Sequence, residues 1–139
     1  GRMEKLKGPE DKQIVLTLVK NPTGLNEVLK VLANEKRSYS LLMVLNDLAA
    51  DGRDVSWIWD AGLERLERAG MDRLSVSGTR CWDLAVRLKY ANLGEPEVIS
   101  SPFQAIDELI EASDYIHLLT TYTTLYALRD HLAKRGFKS

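Results

Sequence analysis

Residues 41–60 read LLMVLNDLAADGRDVSWIWD, and this stretch decides the fold. Its first part, 41–45, is an apolar run with the length and composition of a buried strand. Residues 61–70, which follow the quoted stretch, have the composition of a helix. Residues 46–60 are therefore predicted to form a loop at the carboxyl end of a strand, which is where open α/β sheets gather ligands and catalytic groups.

The loop combines charged and aromatic side chains that a simple turn does not need. It holds four aspartates, one arginine and two tryptophans. Exposed aromatic side chains in such a loop indicate a partner surface. Structural roles stay open for single residues, because Asp51 precedes a glycine as in common turns and Asp54 suits a helix cap. Both tryptophans also suit the inner face of a helix.

The rest of the chain alternates between predicted strands and predicted helices. We expect the strands at 13–20, 40–45, 72–77, 97–100 and 115–119. We expect the helices at 22–34, at 61–70, at 81–91, from the capping box at 101–104 onward, and at 125–135. This alternation predicts an α/β fold, with a three-layer, mostly parallel sheet of five to six strands and helices on both faces.

The composition excludes several classes of site and partner. A chain of 139 residues suffices for one domain that buries about 70% of its unfolded surface. Its net charge of −1 gives no general attraction to nucleic acid or to a membrane surface. No apolar run is long enough for a transmembrane segment, and neither familiar glycine-rich phosphate loop is present. One cysteine and two histidines exclude an internal disulfide and a zinc site rich in these residues.

The cysteine and the histidines are expected to be structural. Cys81 has no histidine near it in sequence, so we interpret it as a small buried hydrophobic residue. Trp82, beside it, is considered as a further core residue. His117 lies inside a predicted strand and is expected in the core, whereas His131 lies on the last helix and is expected at the surface.

Three predicted loops meet at one edge if the sheet is parallel, namely 20–24, 51–59 and 78–80, and 121–123 is a candidate for a fourth. Lys20 and Arg80 are suited to neutralise a phosphate or a carboxylate, although each also suits a solvated surface charge. Asp54 can orient an imidazole, because a carboxylate beside the ring N–H fixes the tautomer and stabilises the imidazolium. Neither histidine of this chain is well placed for that role, so the imidazole is expected from another polypeptide.

Two motifs carry a resemblance to a known family. Residues 18–26, LVKNPTGLN, resemble the segment that opens the C-terminal domain of Mur ligases and folylpolyglutamate synthetases. Residues 45–60 closely resemble the signature of the MurT family, the Mur-ligase-like subunits of lipid II isoglutaminyl synthase. Leu48 departs from the motif, which often has a polar residue there. The resemblance covers essentially the whole chain.

The resemblance implies a particular domain organisation and activity. Residues 13–139 would be a Mur ligase C-terminal-like domain with a Rossmann-like fold, and residues 1–12 the hinge from an absent central ATP-binding domain. The family is a two-subunit amidoligase of peptidoglycan biosynthesis, acting in the bacterial cytoplasm at the inner face of the membrane. It uses ATP, Mg²⁺ and glutamine to amidate the α-carboxyl of D-glutamate in the stem peptide of lipid II.

The resemblance also implies roles for residues in the loops. Asp54 would complete the cysteine–histidine triad of the partner, a GatD-type glutaminase. Lys20, Asn21 and Arg80 are the candidates for binding the cofactor. The candidates for the partner interface are Asp51, Arg53, Trp57 and Trp59. No metal site is expected, and the isolated domain is expected to be inactive and to hold no nucleotide tightly.

Two other functions compete with this one. The first is the C-terminal domain of an ordinary Mur or folylpolyglutamate-type ligase, which adds an amino acid and needs no glutaminase. The second is a signalling receiver, which alternating units of this length also suit. The receiver is disfavoured because no acidic pair follows the first predicted strand.

Overall fold

The computed structural model describes residues 2–139 and contains one mixed sheet covered by helices on both faces. The six strands are β1 (Met3–Lys7), β2 (Gln13–Leu18), β3 (Tyr39–Val44), β4 (Met71–Ser77), β5 (Glu97–Val98) and β6 (Tyr115–Thr120). The four α-helices are α1 (Pro22–Ala33), α2 (Cys81–Tyr90), α3 (Pro102–Ala112) and α4 (Tyr122–Lys134). The predicted α/β class and layer arrangement are confirmed.

The strand order across the sheet is β1-β2-β6-β3-β4-β5, and only β1 runs antiparallel to its neighbour. The central strand β3 is buried along its whole length, as expected for a strand with helices on both sides. Leu41 and Met43 face α1 and α2, while Leu42 and Val44 face α3 and α4. The four parallel crossovers bring the loops after β2, β3, β4 and β6 to one edge of the sheet.

The amino-terminal segment adds a strand to the sheet. Of the two interpretations of residues 1–12, a linker or an entering strand, the structure shows a strand at Met3–Lys7 that pairs with β2. The hinge boundary at residue 12 stays a prediction. Within residues 2–139, no helix is long and apolar enough to cross a membrane.

The predicted helix over 61–70 is wrong. Two short 3₁₀ turns replace it, at Leu63–Arg65 and Arg68–Gly70, and a third, at Ser56–Asp60, lies in the predicted loop. The physical reason is that the first backbone groups of this segment bond outside it. The carbonyl of Ala61 accepts from Arg87, and the N–H of Gly62 donates to Oδ1 of Asn26 at 2.7 Å. Arg87 of α2 donates to the carbonyls of Ile58 and Ala61 at 2.9 and 2.7 Å.

Three smaller expectations are also corrected, and two are confirmed. Helix α4 begins at Tyr122, one turn before the predicted start. Trp82 is 69% exposed, because α2 turns Cys81 and its i+3 and i+7 partners toward the core. His131 is half-buried, and its Nε2 lies 2.8 Å from a carboxylate oxygen of Asp107. Cys81 and His117 are buried, as predicted.

Candidate functional site

Asn46 joins the three loops that follow β3, β4 and β6. It comes directly after the last residue of the apolar run and is buried. Its backbone N–H donates to Oγ1 of Thr121 at 3.0 Å, and its amide Nδ2 donates to Oγ1 of Thr124 at 3.3 Å. Its Oδ1 accepts from the N–H of Thr79 at 2.9 Å. One residue, through its backbone and its side chain, therefore fixes the relative positions of three loops, since buried polar groups are seldom left unpaired.

Gly78 allows the loop after β4 to pass close to the loop after β3. Its φ of +99° is strained for any residue with a Cβ atom. A Cβ placed on it would also lie 2.4 Å from the carbonyl oxygen of Leu45. The N–H of Arg80 donates to that same oxygen at 3.0 Å, so the tight turn places the start of α2 against the end of β3.

The positive charge of Arg80 is neutralised within the site. Its Nε and Nη2 donate to the two carboxylate oxygens of Asp83 at 2.6 and 2.9 Å. Its Nη1 donates to Asp47 at 3.2 Å. Donating to Asp83 and Asp47 raises the pKa of Arg80, and the hydrogen bonds that Asp47 accepts from Thr79 and Arg80 lower the pKa of Asp47. Arg80, Asp47 and Asp83 together carry one positive and two negative charges, so this cluster does not attract anions.

Asp51 accepts hydrogen bonds at the start of α4. Its two carboxylate oxygens accept from the N–H and the Oγ1 of Thr123, both at 2.8 Å. Helix N-termini leave N–H groups without an internal partner, and a carboxylate stabilises them. Both oxygens of Asp51 are therefore used inside the chain, which also explains the early start of α4.

Asp54 presents its carboxylate to solvent. It is exposed, and its Oδ1 accepts from the N–H of Ser56 at 2.9 Å. Hydrogen bonds from the side chain and the backbone of Ser56 lower the pKa of Asp54, so the group is ionised at neutral pH. It lines a small open cleft of about 220 Å³ together with Trp59, Arg80 and others. An ionised carboxylate with an oxygen facing solvent can accept a hydrogen bond from an incoming group.

The two tryptophans of the loop differ in exposure. Trp57 is half-buried and packs against the core on the side of α1 and α2. Trp59 is 47% exposed, and its ring meets that of Tyr90 edge to face at 5.6 Å between centroids. Arg53 is exposed and lines the same cleft as Asp54. Asp54, Arg53 and Trp59 are thus brought together, while Asp51 and Trp57 turn inward.

The loop after β2 stands apart from this network. Lys20 is exposed, and the Oδ1 of Asn21 accepts from the N–H of Gly24 at 2.8 Å as an N-cap of α1. Among the side-chain hydrogen bonds of residues 2–139, none joins residues 20–24 to the other three loops. Over the same range there is no cluster of metal-ligating side chains that could hold an ion.

The sequence assigns no role to Arg87, yet this residue holds the loop after β3 in place. Only 3% of its side chain is exposed, and it pairs with Glu64 through two hydrogen bonds of 2.8 and 2.9 Å. Its guanidinium also lies 5.2 Å from the ring centre of Trp59. The helical phase could have revealed it, because Arg87 is three residues from Leu84 and four from Ala91, on the buried face of α2.

Comparison with known proteins gives the family. The family model described as MurT ligase C-terminal matches residues 18–125. The chain is 34% identical to the lipid II isoglutaminyl synthase (glutamine-hydrolyzing) subunit MurT of Staphylococcus aureus (strain COL), over 99% of this chain and 31% of that protein. It is 32% identical to the subunit of the same name from Streptococcus pneumoniae, over 90% of this chain and 29% of that protein.

A solved structure has the same fold. The folylpolyglutamate synthase of Thermotoga maritima aligns with a TM-score of 0.54 and 22% identity, over 96% of this chain and 30% of that one. The chain spans about a third of the length of the curated relatives it matches. The match over residues 18–125, together with the identity to both curated subunits, shows that the chain belongs to the MurT ligase C-terminal family.

Proposed function

We propose that this domain docks a glutaminase subunit and supplies Asp54 as the third member of its catalytic triad. The complete enzyme would be a lipid II isoglutaminyl synthase, as its relatives are named. It would act at the cytoplasmic face of the membrane and amidate the D-glutamate α-carboxyl of the stem peptide, with ATP and glutamine. The observation that supports the proposal is the exposed, ionised carboxylate of Asp54 beside an aromatic surface.

The imidazole must come from the partner, because both histidines of this chain contact other carboxylates, far from the loop of Asp54. His117 is buried in β6, with Nε2 lying 3.4 Å from Glu35. His131 lies between α4 and α3, paired with Asp107. Neither belongs to the loops at the carboxyl edge of the sheet, so neither can serve Asp54.

The chemistry of Asp54 follows from its charge. Its carboxylate accepts a hydrogen bond from the Nδ1–H of the partner's histidine and holds the ring in one tautomer. The Nε2 atom is then free to take the proton of the partner's cysteine thiol, and the carboxylate stabilises the imidazolium that forms. The thiolate attacks the side-chain amide of glutamine, and ammonia leaves with the proton that the imidazolium returns.

The cofactor candidates of this chain do not form a complete phosphate site. The Oδ1 of Asn21 caps α1, and Arg80 is held by two carboxylates that repel a phosphate. Lys20 alone keeps an exposed ammonium group. ATP with Mg²⁺ activates the carboxyl group for attack by ammonia. We propose that the rest of the subunit binds most of the nucleotide, with Lys20 as the contribution of this domain.

The test is an Asp54→Asn substitution in the full-length subunit, assayed with its glutaminase. The amide keeps the size and removes the charge, so docking should persist while glutamine hydrolysis falls on the order of 100-fold or more. Synthesis from added ammonia should survive, because it bypasses glutamine hydrolysis.

Asp60→Asn is the matched control, since Asp60 is an exposed aspartate six residues further along the same segment. It should leave hydrolysis unchanged. If Asp54→Asn hydrolyses glutamine at the parent rate in an intact complex, Asp54 is only a turn residue. If the parent subunit does not bind a glutaminase at all, the chain serves an amino-acid ligase instead.

A further inference from the structure

Helix α2 carries an apolar stripe on the side that faces solvent. Trp82, Val86 and Tyr90 are 69%, 47% and 70% exposed. They follow one another at intervals of four residues, so they lie on one face of the helix over a length of about 12 Å. None of the three belongs to either core cluster. Contiguous exposed apolar surface of this kind marks an interaction site.

Trp59 connects this stripe to the Asp54 cleft. Its ring contacts that of Tyr90 at the carboxyl end of α2, and it also lines the cleft beside Asp54. Asp83, next to Trp82 at the amino end of α2, lines the same cleft. We call Trp59, Trp82, Val86 and Tyr90 the aromatic ridge. The ridge and the Asp54 carboxylate therefore form one continuous surface.

Resting on the proposed function, we propose that the aromatic ridge is the main anchor of the glutaminase subunit, whose matching face is an apolar groove. A stable interface buries about 800 Å² on each partner, which corresponds to a circle about 16 Å in radius. A partner that places a histidine on Asp54 has a footprint that includes that residue. Because the ridge borders the cleft and is only about 12 Å long, such a footprint covers it.

The chemistry of the ridge suits an anchor. Large aromatic side chains near the centre of an interface carry most of its binding energy, and charged side chains at the rim carry little. Lys89 and Glu95 lie beside the ridge at 3.9 Å from each other, along an apolar groove of about 480 Å³ between α2 and β5. The arrangement thus has an aromatic centre and a charged rim, as specific interfaces have.

The proposal separates docking from chemistry, and the experiment measures both. Full-length subunit and glutaminase are titrated against each other by calorimetry, and glutamine hydrolysis is assayed at saturating glutaminase. Trp82→Ala and Tyr90→Ala should each weaken binding about 30-fold, while hydrolysis at saturation stays within about twofold. Asp54→Asn should leave binding unchanged and lower hydrolysis at saturating glutaminase. Val86→Lys, which puts a charge in the middle of the ridge, should abolish binding without altering the fold.

Tyr126→Ala is the matched control. Tyr126 is 55% exposed on α4, which packs on the opposite face of the sheet from α2. This variant should bind the glutaminase as the parent does.

Three outcomes would overturn the proposal. If the parent binds and the ridge variants bind equally well, the ridge is not the anchor, although the proposed function stands. If the parent itself does not bind, the proposed function fails first. If sedimentation shows that the parent subunit alone is a dimer that Trp82→Ala dissociates, the ridge binds a second copy of this chain.

Discussion

Gly78 is the single residue on which the close approach of two site loops depends. Its φ is +99°, and a Cβ atom would lie 2.4 Å from the carbonyl oxygen of Leu45. We expect Gly78→Ala to lower the free energy of unfolding by about 3 kcal/mol, because both the dihedral and the contact are unfavourable. Gly94 also has a positive φ, +79°, but open space around it. Gly94→Ala should cost only about 1 kcal/mol in the same urea titration.

His117 makes the stability of the domain depend on pH near neutrality. Burial lowers its pKa below the ordinary 6.5, and the hydrogen bond with Glu35 only partly opposes this effect. The unfolded chain therefore takes up a proton as the pH falls below about 6.5, while the folded chain does not. We expect the free energy of unfolding to decrease from pH 6.5 to pH 5, and chemical denaturation over that range measures it.

His117→Phe should flatten that pH profile, and His131→Gln should leave the His117 contribution in place. Glu35 does not obscure the result. Hydrogen bonds from Tyr115 and His117 outweigh its burial and hold its pKa below 4.5, so its contribution is lost only at more acid pH. An unchanged slope in His117→Phe would show that other groups set the pH dependence.

Sequence reasoning could place Asp51 and Asp54 in one loop, but it could not tell their roles apart. The two residues are of the same type and lie three positions apart. Asp51 is used internally because Thr123, 72 residues further along the chain in the first turn of α4, lies beside it. Asp54 bonds only locally, to Ser56. A contact between distant segments decides which carboxylate remains accessible, and no local pattern reports such a contact.

At the scale of elements, the segment 56–64 depends on Arg87 more than on its own backbone. Arg87→Met keeps the apolar stem but removes the donor to the carbonyls of Ile58 and Ala61, of which Ala61 keeps only its bond from the N–H of Leu63. We expect a loss of about 3 kcal/mol in the free energy of unfolding, since each buried unpaired group costs about 1–3 kcal/mol.

Hydrogen exchange should locate the effect of Arg87→Met. The amides of 56–64 should exchange faster than in the parent, while those of β3 and β6 keep their protection. Arg65→Met is the control, because Arg65 is exposed and directly follows that segment. Unchanged exchange in 56–64 would show that the 3₁₀ turns hold themselves in place.

The same segment shows where local patterns stop being sufficient. Four α-helices and the five parallel strands were predictable from periodicity, caps and turn residues, because those signals are local. Residues 61–70 have a helix-like composition, but a buried arginine from α2 donates to the carbonyl of Ala61, which a helix would use. The exposure of Trp82 likewise follows from which face of α2 is turned toward the core. The sequence does not define that face, because it leaves the start of the helix uncertain by about one residue.

At the scale of the whole molecule, we expect the domain to hold no nucleotide tightly. The loops at the carboxyl edge lack a glycine-rich phosphate loop, and Arg80 is neutralised by Asp47 and Asp83. Calorimetry with ATP and Mg²⁺ and this chain alone should give no heat of binding at micromolar concentrations. A micromolar dissociation constant would show that the four loops form a complete site.

The fold class followed from the alternation of strands and helices, since parallel strands need a crossover helix between them. The strand order did not follow, because it depends on which strands are neighbours in space. The place of β6 between β2 and β3 is what brings Thr121 and Thr124 to Asn46 and so completes the site.

The two borders of the sheet have a consequence for association. β5 has two residues and follows Pro96, and on the other border Lys7 of β1 pairs with Lys138. Free strand edges recruit further strands and lead to aggregation, and short, proline-flanked or lysine-bearing borders prevent it. A molecule with protected borders can expose three large apolar side chains on α2, with Trp59 beside them, without polymerising through its backbone. Association through this surface is thereby limited to side-chain contacts that require a partner of matching shape.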